Sequence, residues 1–306
     1  MPYSITKLRH DELEQKKIKD LSFWAEPALL SSFAKRDEVI FYYLVASEHD
    51  NIKAIMPVFE KRKFGLRYLI QPYEYYYTPI DFFIEEKQSL FRKQNHELMI
   101  LKEYAIFLKK EYFKFKLHLD PSIRDIRAFK RTGFRVEPLY TYTKIIKEYE
   151  SSGLPKETKR LLQNKAKKEL YIKENWDLEI YKALSISMLN KKNRPLRQVE
   201  KNYLDFLNDL YDKGFCTKYI VYKGEEALVY LILLKDKINK YLYAFYSAMS
   251  ENGKKIGANI FCFDYILSHH YDFEILDFTG ANNENIAFFK SQFNCELVNY
   301  YRIGYR

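Results

Sequence analysis

The sequence predicts an α+β protein built from two tandem copies of one unit, each a mixed, mostly antiparallel sheet flanked by helices. Three observations lead there. The 306 residues are 47% hydrophobic and 17% aromatic, enough to bury a large core and long for one domain at the usual roughly 100 to 200 residues. Apolar runs of strand type come in groups of three, each group followed by a helical segment, a strand, a short helix and a last strand. The second half then repeats the order of the first. "IRAFKRTGFRVEPLYTY" (126–142) and "IAFFKSQFNCELVNYYRI" (286–303) share the pairs Phe129-Lys130 and Phe289-Lys290, and a Glu ahead of a closing aromatic strand.

The first copy opens with the meander "VIFYYLVAS" (39–47), "IKAIMPVFEKR" (52–62) and "LRYLI" (66–70). β-branched and aromatic residues separated by polar turns favour strands here. Residues 87–112 carry helical spacing, with Leu90, Leu98, Leu101, Ala105 and Leu108 near one face. "FKFKLHLD" (113–120) alternates as a half-buried strand. A short helix around 122–131 follows, stopped by Gly133, and "RVEPLYTYTKII" closes the copy. Ser, Gly and Pro in "YESSGLP" (149–155) divide the chain into domains 1–150 and 151–306. The second copy runs through "CTKYIVYKG", "EALVYLILLK" and "KYLYAFYSAM", a helix over 256–270, the strand "FEILDF" (273–278), a helix over 284–292 and "ELVNYYRIGY".

Net charge is +10, and both halves are basic. In the second half the excess is local: residues 156–168, KETKRLLQNKAKK, hold six Lys or Arg against one Glu. Lys156, Arg160, Gln163 and Lys167 follow one another at spacings of four, three and four, along one helix face, with Leu162 and Ala166 turned elsewhere. Such a stripe serves either an anionic partner, for example a phosphorylated donor, tRNA or a headgroup, or plain solvation. Cysteines 216, 262 and 295 are odd in number and lack CxxC spacing, which argues against a disulfide framework or a zinc knuckle and for a reducing cytoplasm. The polar N-terminus is unlike a secretion signal, and the longest apolar run, "ALVYLILL", is short for a membrane span. The six histidines show neither HExxH nor any metal spacing, so no metal is expected, and neither a nucleophile elbow nor a P-loop occurs.

Two stretches suggest ligand contacts. "SENGKKIGAN" (250–259) leads from a strand into a helix start, where free N–H groups and the positive dipole end favour phosphate. Lys254, Lys255, Gly257, Ala258 and Asn259 are its candidate donor-binding residues, against the alternative of a solvated loop. "QPYEYYYTPIDFF" (71–83) brackets Tyr75 and Tyr77 with prolines, either to stack on a sugar or peptide acceptor or as a partly buried strand edge. Asn193, Arg194 and Arg197 precede a long amphipathic helix and meet an anionic acceptor or form a surface loop.

This order of elements resembles the GNAT acyltransferase fold, and its duplication resembles the Fem-type peptidyltransferases and related tandem GNAT proteins. "LPKETKRLLQNKAKKELYI" (154–172) is similar to the basic helix opening that group's second domain. "NRPLRQVEKNYLDFLNDLYDKG" is similar to its middle, "DFTGANNENIAFFKSQFNCELVNYY" to its ending, and "IMPVFEKRKFGLRYLIQPYEYYYTPIDF" (55–82) to its Pro-containing first meander. Two departures stand out. Phe293-Asn294 replaces the group's Phe-Gly, and Lys254-Lys255-Ile256-Gly257-Ala258-Asn259 keeps one of the two glycines of the GNAT pyrophosphate signature. No long coiled-coil arm is inserted, which disfavours a tRNA donor.

The resemblance implies an acyl- or aminoacyl-transferase moving an activated acyl group from acyl-CoA, or less readily aminoacyl-tRNA, to an amine on a sugar, peptide or cell-envelope precursor. It places Asp277 beside the gap between two splayed parallel strands, as candidate base, with Tyr246 as candidate acid toward the leaving group. Thr279, Asn282, Asn283 and Asn285 would then line the acceptor side. For Asp277 the alternative is a turn residue bonded to its own loop. The missing glycine motivates a second reading of the chain, a catalytically degenerate binding protein for an anionic ligand.

Overall fold

The computed structural model describes residues 3–16, 18, 21–49, 51–84, 88–163, 169–191, 193 and 195–306. The chain forms two compact units, Met1–Tyr140 with Asn299–Arg306, and Thr141–Val298. The division read from sequence at residue 150 gives the last strand to the second domain, whereas its end packs in the first unit.

The first unit contains β1 (Ser4–Leu8), α1 (His10–Glu14), α2 (Pro27–Asp37), β2 (Ile40–Glu48), β3 (Asn51–Lys63), β4 (Leu66–Ile70), β5 (Asp81–Phe82), α3 (Leu90–Glu111), β6 (Phe115–His118), α4 (Arg127–Arg131) and the start of β7 (Arg135–Ile145). β1 to β4 form an antiparallel meander in chain order, and β5 pairs with β3. The elements before residue 39 were not legible in the sequence, because β1 is short and α2 carries little apolar periodicity. Ser89 caps α3 by accepting from the Arg92 N–H. The core side of α3 is Ile100, Leu101, Tyr104, Ala105 and Leu108. Leu90, expected on that face, is 71% exposed because the first turns of α3 overhang the core. The short helix expected around 122–131 shrinks to α4, since Asp120 turns the chain by accepting from Ser122 N at 2.9 Å.

In this unit β4 and β6 run side by side in parallel at the bridge Tyr68–Lys114, and the chain pairs again at Thr78–Leu119. Between those points the strands part. Gln71 fills the space: its Oε1 accepts from Thr78 Oγ1 at 3.2 Å and from His118 N at 3.3 Å. Tyr75 and Tyr77, each 1% exposed, set their rings edge-on to Trp24. Rings so buried pack against the core, so the alternative reading of these two tyrosines holds and they present no stacking surface to an acceptor.

The second unit contains the end of β7, α5 (Lys156–Gln163), β8 (Leu170–Lys173), α6 (Leu178–Lys191), α7 (Lys201–Asp212), β9 (Cys216–Lys223), β10 (Glu226–Asp236), β11 (Tyr241–Met249), α8 (Glu251–Ile256), α9 (Ala258–His269), β12 (Ile275–Asp277), α10 (Glu284–Ser291) and the start of β13 (Glu296–Tyr305). Its sheet runs β7-β12-β11-β10-β9-β8. β9 and β10 are buried almost end to end, as strands covered on both faces must be. Leu231, Leu233 and Leu242 pack in one cluster with Ile266, Leu267 and Phe263 of α9. Tyr230 and Tyr246 instead meet Tyr181 of α6, at 5.4 and 5.3 Å between ring centres.

The closing strands are exchanged in sequence. β7 supplies Thr143–Ile145 to pair with β12, and β13 supplies Arg302–Tyr305 to pair with β6. Each unit is a mixed sheet flanked by helices, as the sequence predicts.

One buried cation belongs to packing alone. Lys218 on β9 has no hydrogen-bond acceptor for its Nζ among the described residues, and that atom lies 3.6 Å and 3.3 Å from the ring centres of Trp176 and Tyr211. Burial lowers its pKa to about 7, against the opposite pull of Cys216 and Glu174. An unfolded lysine titrates near about 10.4. Between those values the unfolded chain holds the extra proton, so this residue makes stability rise with pH across that window. Lys218→Met is expected to flatten the rise and to stabilise the protein at neutral pH. Urea melts across the window check this, and an unchanged slope would contradict it.

Candidate functional site

β11 and β12 are parallel neighbours in register over Tyr241–Ile275, Leu242–Leu276 and Tyr243–Asp277. Pairing ends there, while β11 continues to Met249. Two features separate the strands. On β11, the register with β10 jumps from Leu233–Ala244 to Ile232–Tyr246, so Phe245 is an extra residue and forms a bulge. A bulge bends and twists its strand. After Asp277 the other chain leans to the opposite neighbour, with Phe278 N donating to Tyr142 O at 2.9 Å.

The turn after β12 is backbone-strained and heavily tied. Thr279 and Gly280 have φ of +51° and +69°. The left-handed region costs glycine little but is unusual for a β-branched residue, at about 1 to 3 kcal/mol. Asp277, 3% exposed, holds the turn: its Oδ1 accepts from Thr279 N at 2.7 Å and from Thr141 Oγ1 at 2.6 Å. Thr279 Oγ1 donates across the opening to Ala244 O on β11.

Two successive left-handed residues turn three carbonyls the same way. Lys290, 9% exposed in the last turn of α10, donates from Nζ to Phe278 O at 2.5 Å and to Thr279 O at 2.7 Å, and also to Gly280 O. An ammonium has three N–H groups, and three oxygens meet them. Burial lowers the pKa of Lys290 to about 8, with Asp277 pulling the other way, so the group stays mostly charged at neutral pH. Lys290 was visible in the sequence only as a repeat marker. Its counterpart Lys130 is exposed, so the shared Phe-Lys pair carries different roles in the two copies.

The other candidates fall around this turn in different ways. Asn283 is the N-cap of α10, accepting from Ile286 N at 3.4 Å, and Asn282 and Asn285 are exposed. Tyr246 donates to Ser185 Oγ of α6 at 3.1 Å. Arg197 is exposed in a 3-10 turn ahead of α7. Asn294 has φ +55°, a left-handed conformation that asparagine adopts more readily than most residues.

The helix expected over 256–270 is α9, and a further short helix, α8, precedes it where the sequence reads as a turn. Ser250 caps α8 by accepting from Gly253 N at 3.0 Å, and Gly257, at φ +71°, ends α8 and begins α9. "SENGKKIGAN" is therefore mostly helix. Gly253 is fixed by space, because a Cβ there would lie 2.7 Å from Leu228 O. Gly257 and Ala258 are buried, with Leu161 of α5 against Gly257, at 3.5 Å from where a Cβ would stand. Asn259 Oδ1 accepts from Ile260 N. Around that corner Lys254 and Lys255 on α8 and Lys156 and Arg160 on α5 are exposed. Lys167 and Arg194 lie outside the described residues.

A cavity of about 420 Å³ in this unit opens elsewhere, at the C-terminal end of α9, between Glu174, Thr217, Tyr219 and His270. Among the described residues no group of three or more His, Cys, Asp or Glu is placed to hold a metal ion, and no helix is long and apolar enough to cross a membrane.

No protein-family model and no curated protein matches the chain. Solved structures do. FemX has a TM-score of 0.64 at 10% identity, over 97% of this chain and 96% of that one. A tandem GNAT protein from the clavulanic acid biosynthesis pathway gives 0.57 at 8%, over 99% and 97%. The L-PGS structure from Bacillus licheniformis gives 0.57 at 12%, over 93% of each chain. The chain thus has the tandem GNAT fold and resembles the Fem-like proteins in architecture.

Replacing Lys290 by Met is expected to orphan three inward carbonyls and to cost about 3 kcal/mol of stability, as buried unsatisfied groups do. Chemical denaturation measures the loss, and hydrogen exchange should show faster amides at Thr279 and Gly280. A change below about 0.5 kcal/mol, within the range of a plain surface substitution, would contradict the assignment.

Proposed function

We propose that the chain is an acyl- or aminoacyl-transferase, with the reacting groups in the second unit. The observation that supports this is the opening between β11 and β12, set by the Phe245 bulge on one side and by the Asp277–Gly280 turn on the other. The corresponding place in the first unit is filled by Gln71. An extended donor arm would lie between the parallel strands where their pairing stops after Asp277.

The chemistry is attack of an amine on an activated carbonyl, with loss of a proton from nitrogen and expulsion of a thiolate or a ribose oxygen. Asp277 would accept that proton, since a carboxylate keeps further lone pairs after Oδ1 has bound two donors. Tyr246 would protonate the leaving group. Lys254, Lys255, Lys156 and Arg160 form the exposed cation set for donor phosphates at the α8–α9 corner. Asn282 and Asn285 offer exposed amides to an amine acceptor on a sugar, peptide or cell-envelope precursor. A reducing cytoplasm suits the three free cysteines.

A second reading has its own support. Asp277 is nearly buried and Gly257 lies under Leu161, which suits a binding protein for an anionic ligand that has lost donor chemistry. Thermal melting separates the two. A CoA thioester or aminoacyl-tRNA at 100 times its dissociation constant should add about 2.7 kcal/mol, and Asp277→Asn, which keeps an Oδ1 acceptor for the turn, should lower turnover by at least about 10²-fold in a protein that still unfolds cooperatively. Stabilisation by an anion without turnover on any acyl donor would favour the binding protein. Full turnover in Asp277→Asn would remove that residue from the mechanism.

A further inference from the structure

The β3–β4 turn of the first unit poses a problem that folding does not solve. Lys63 pairs with Leu66, leaving a two-residue loop in which Phe64 and Gly65 have φ of +52° and +72°. Two positive φ values mark a type I′ turn, whose first position favours Asn, Asp or Gly. A phenylalanine there is strained. Packing does not compensate it, because Phe64 is 89% exposed. A hairpin selected for folding alone would carry Asn-Gly.

The surroundings of Phe64 say what it meets. The tip "KRKFGLR" (61–67) contains four cations and no acid. Arg62 pairs with Glu60 and Arg67 with Glu111, while Lys61 and Lys63 are in no ion pair among the described residues. Leu66 and Phe113 are each 40% exposed, and Phe113 is held at this same end by its N–H donating to Arg67 O at 2.9 Å. Beside it Lys114 is exposed, and the Arg306 guanidinium lies 5.1 Å from the Phe113 ring centre. The result is a protruding apolar tip ringed by positive charge.

We infer that this tip docks the protein on a bilayer surface containing anionic lipid, with Phe64 entering the interface and the cations meeting headgroups. Aromatic rings settle at headgroup depth, long basic side chains reach up past them, and anionic leaflets attract such clusters. Nucleic acid fits less well. Single strands lie in grooves where bases stack on aromatic faces, whereas Phe64 stands 89% exposed at the end of a two-residue hairpin turn. The matching turn of the second unit is different in kind: Asp236 Oδ1 accepts from the N–H groups of Ile238 and Asn239, which gives that turn a folding reason.

Flotation with phosphatidylcholine vesicles, alone and mixed with phosphatidylglycerol, tests this on the full chain. The mixed vesicles should carry the protein and the neutral ones should not, with binding reduced by added salt. Phe64→Asn should weaken binding about tenfold through lost apolar burial, yet melt no lower than the parent because Asn-Gly suits the turn. Phe64→Trp should keep binding and shift its emission to the blue on mixed vesicles. Unweakened binding by Phe64→Asn, an unshifted Phe64→Trp, or a loss confined to tRNA binding would each overturn the inference.

Discussion

The grip of one buried ammonium on three consecutive carbonyls shapes the second unit's site. For Phe278, Thr279 and Gly280 to aim their oxygens at Lys290 Nζ, the backbone must turn left-handed at two residues in a row. That turn ends β12 at Asp277, so its pairing with β11 stops after three positions. Burying a charge is costly unless its hydrogen bonds are complete, and here donors and acceptors match in number. The Asp277 carboxylate braces the same turn from the strand side. The turn side of the opening and the setting of the candidate base thus follow from one packing decision, while the Phe245 bulge bends β11 on the other side.

The two copies show what that decision changes. Both place a meander strand parallel to the strand that follows the long helix. In the first copy the parting is bridged by an amide side chain and the strands rejoin at Thr78. In the second, a bulge and a strained turn part them after Asp277, and Thr279 Oγ1 reaches Ala244 O beside the last pair. Duplication followed by such a difference lets one copy specialise while the other stays a scaffold, and the proposed chemistry belongs to the strained one.

Much of the fold was legible because strand and helix periods are written locally. The six meander strands, α3, α10 and both closing strands lie where apolar runs and turn residues put them. Helix α8 was not legible, since Glu251–Ile256 reads as a polar loop and becomes helical through the Ser250 cap and the packing of Gly253 on Leu228. Tyr75 and Tyr77 stayed ambiguous in the sequence because a Pro-bracketed aromatic run looks the same whether it faces a ligand or Trp24. Within the site, "DFTG" announced a turn, but nothing local reveals that a lysine eleven residues beyond Thr279 would close it. Such long-range satisfaction of backbone carbonyls has no sequence period.

A crystal structure of the chain with an acyl-CoA bound would test the central claim most directly. The acyl arm should lie between β11 and β12 beyond Tyr243 and Asp277, with its carbonyl near the Phe245 bulge. Density for the acyl arm at any other place, or strands found paired past Asp277, would contradict the account.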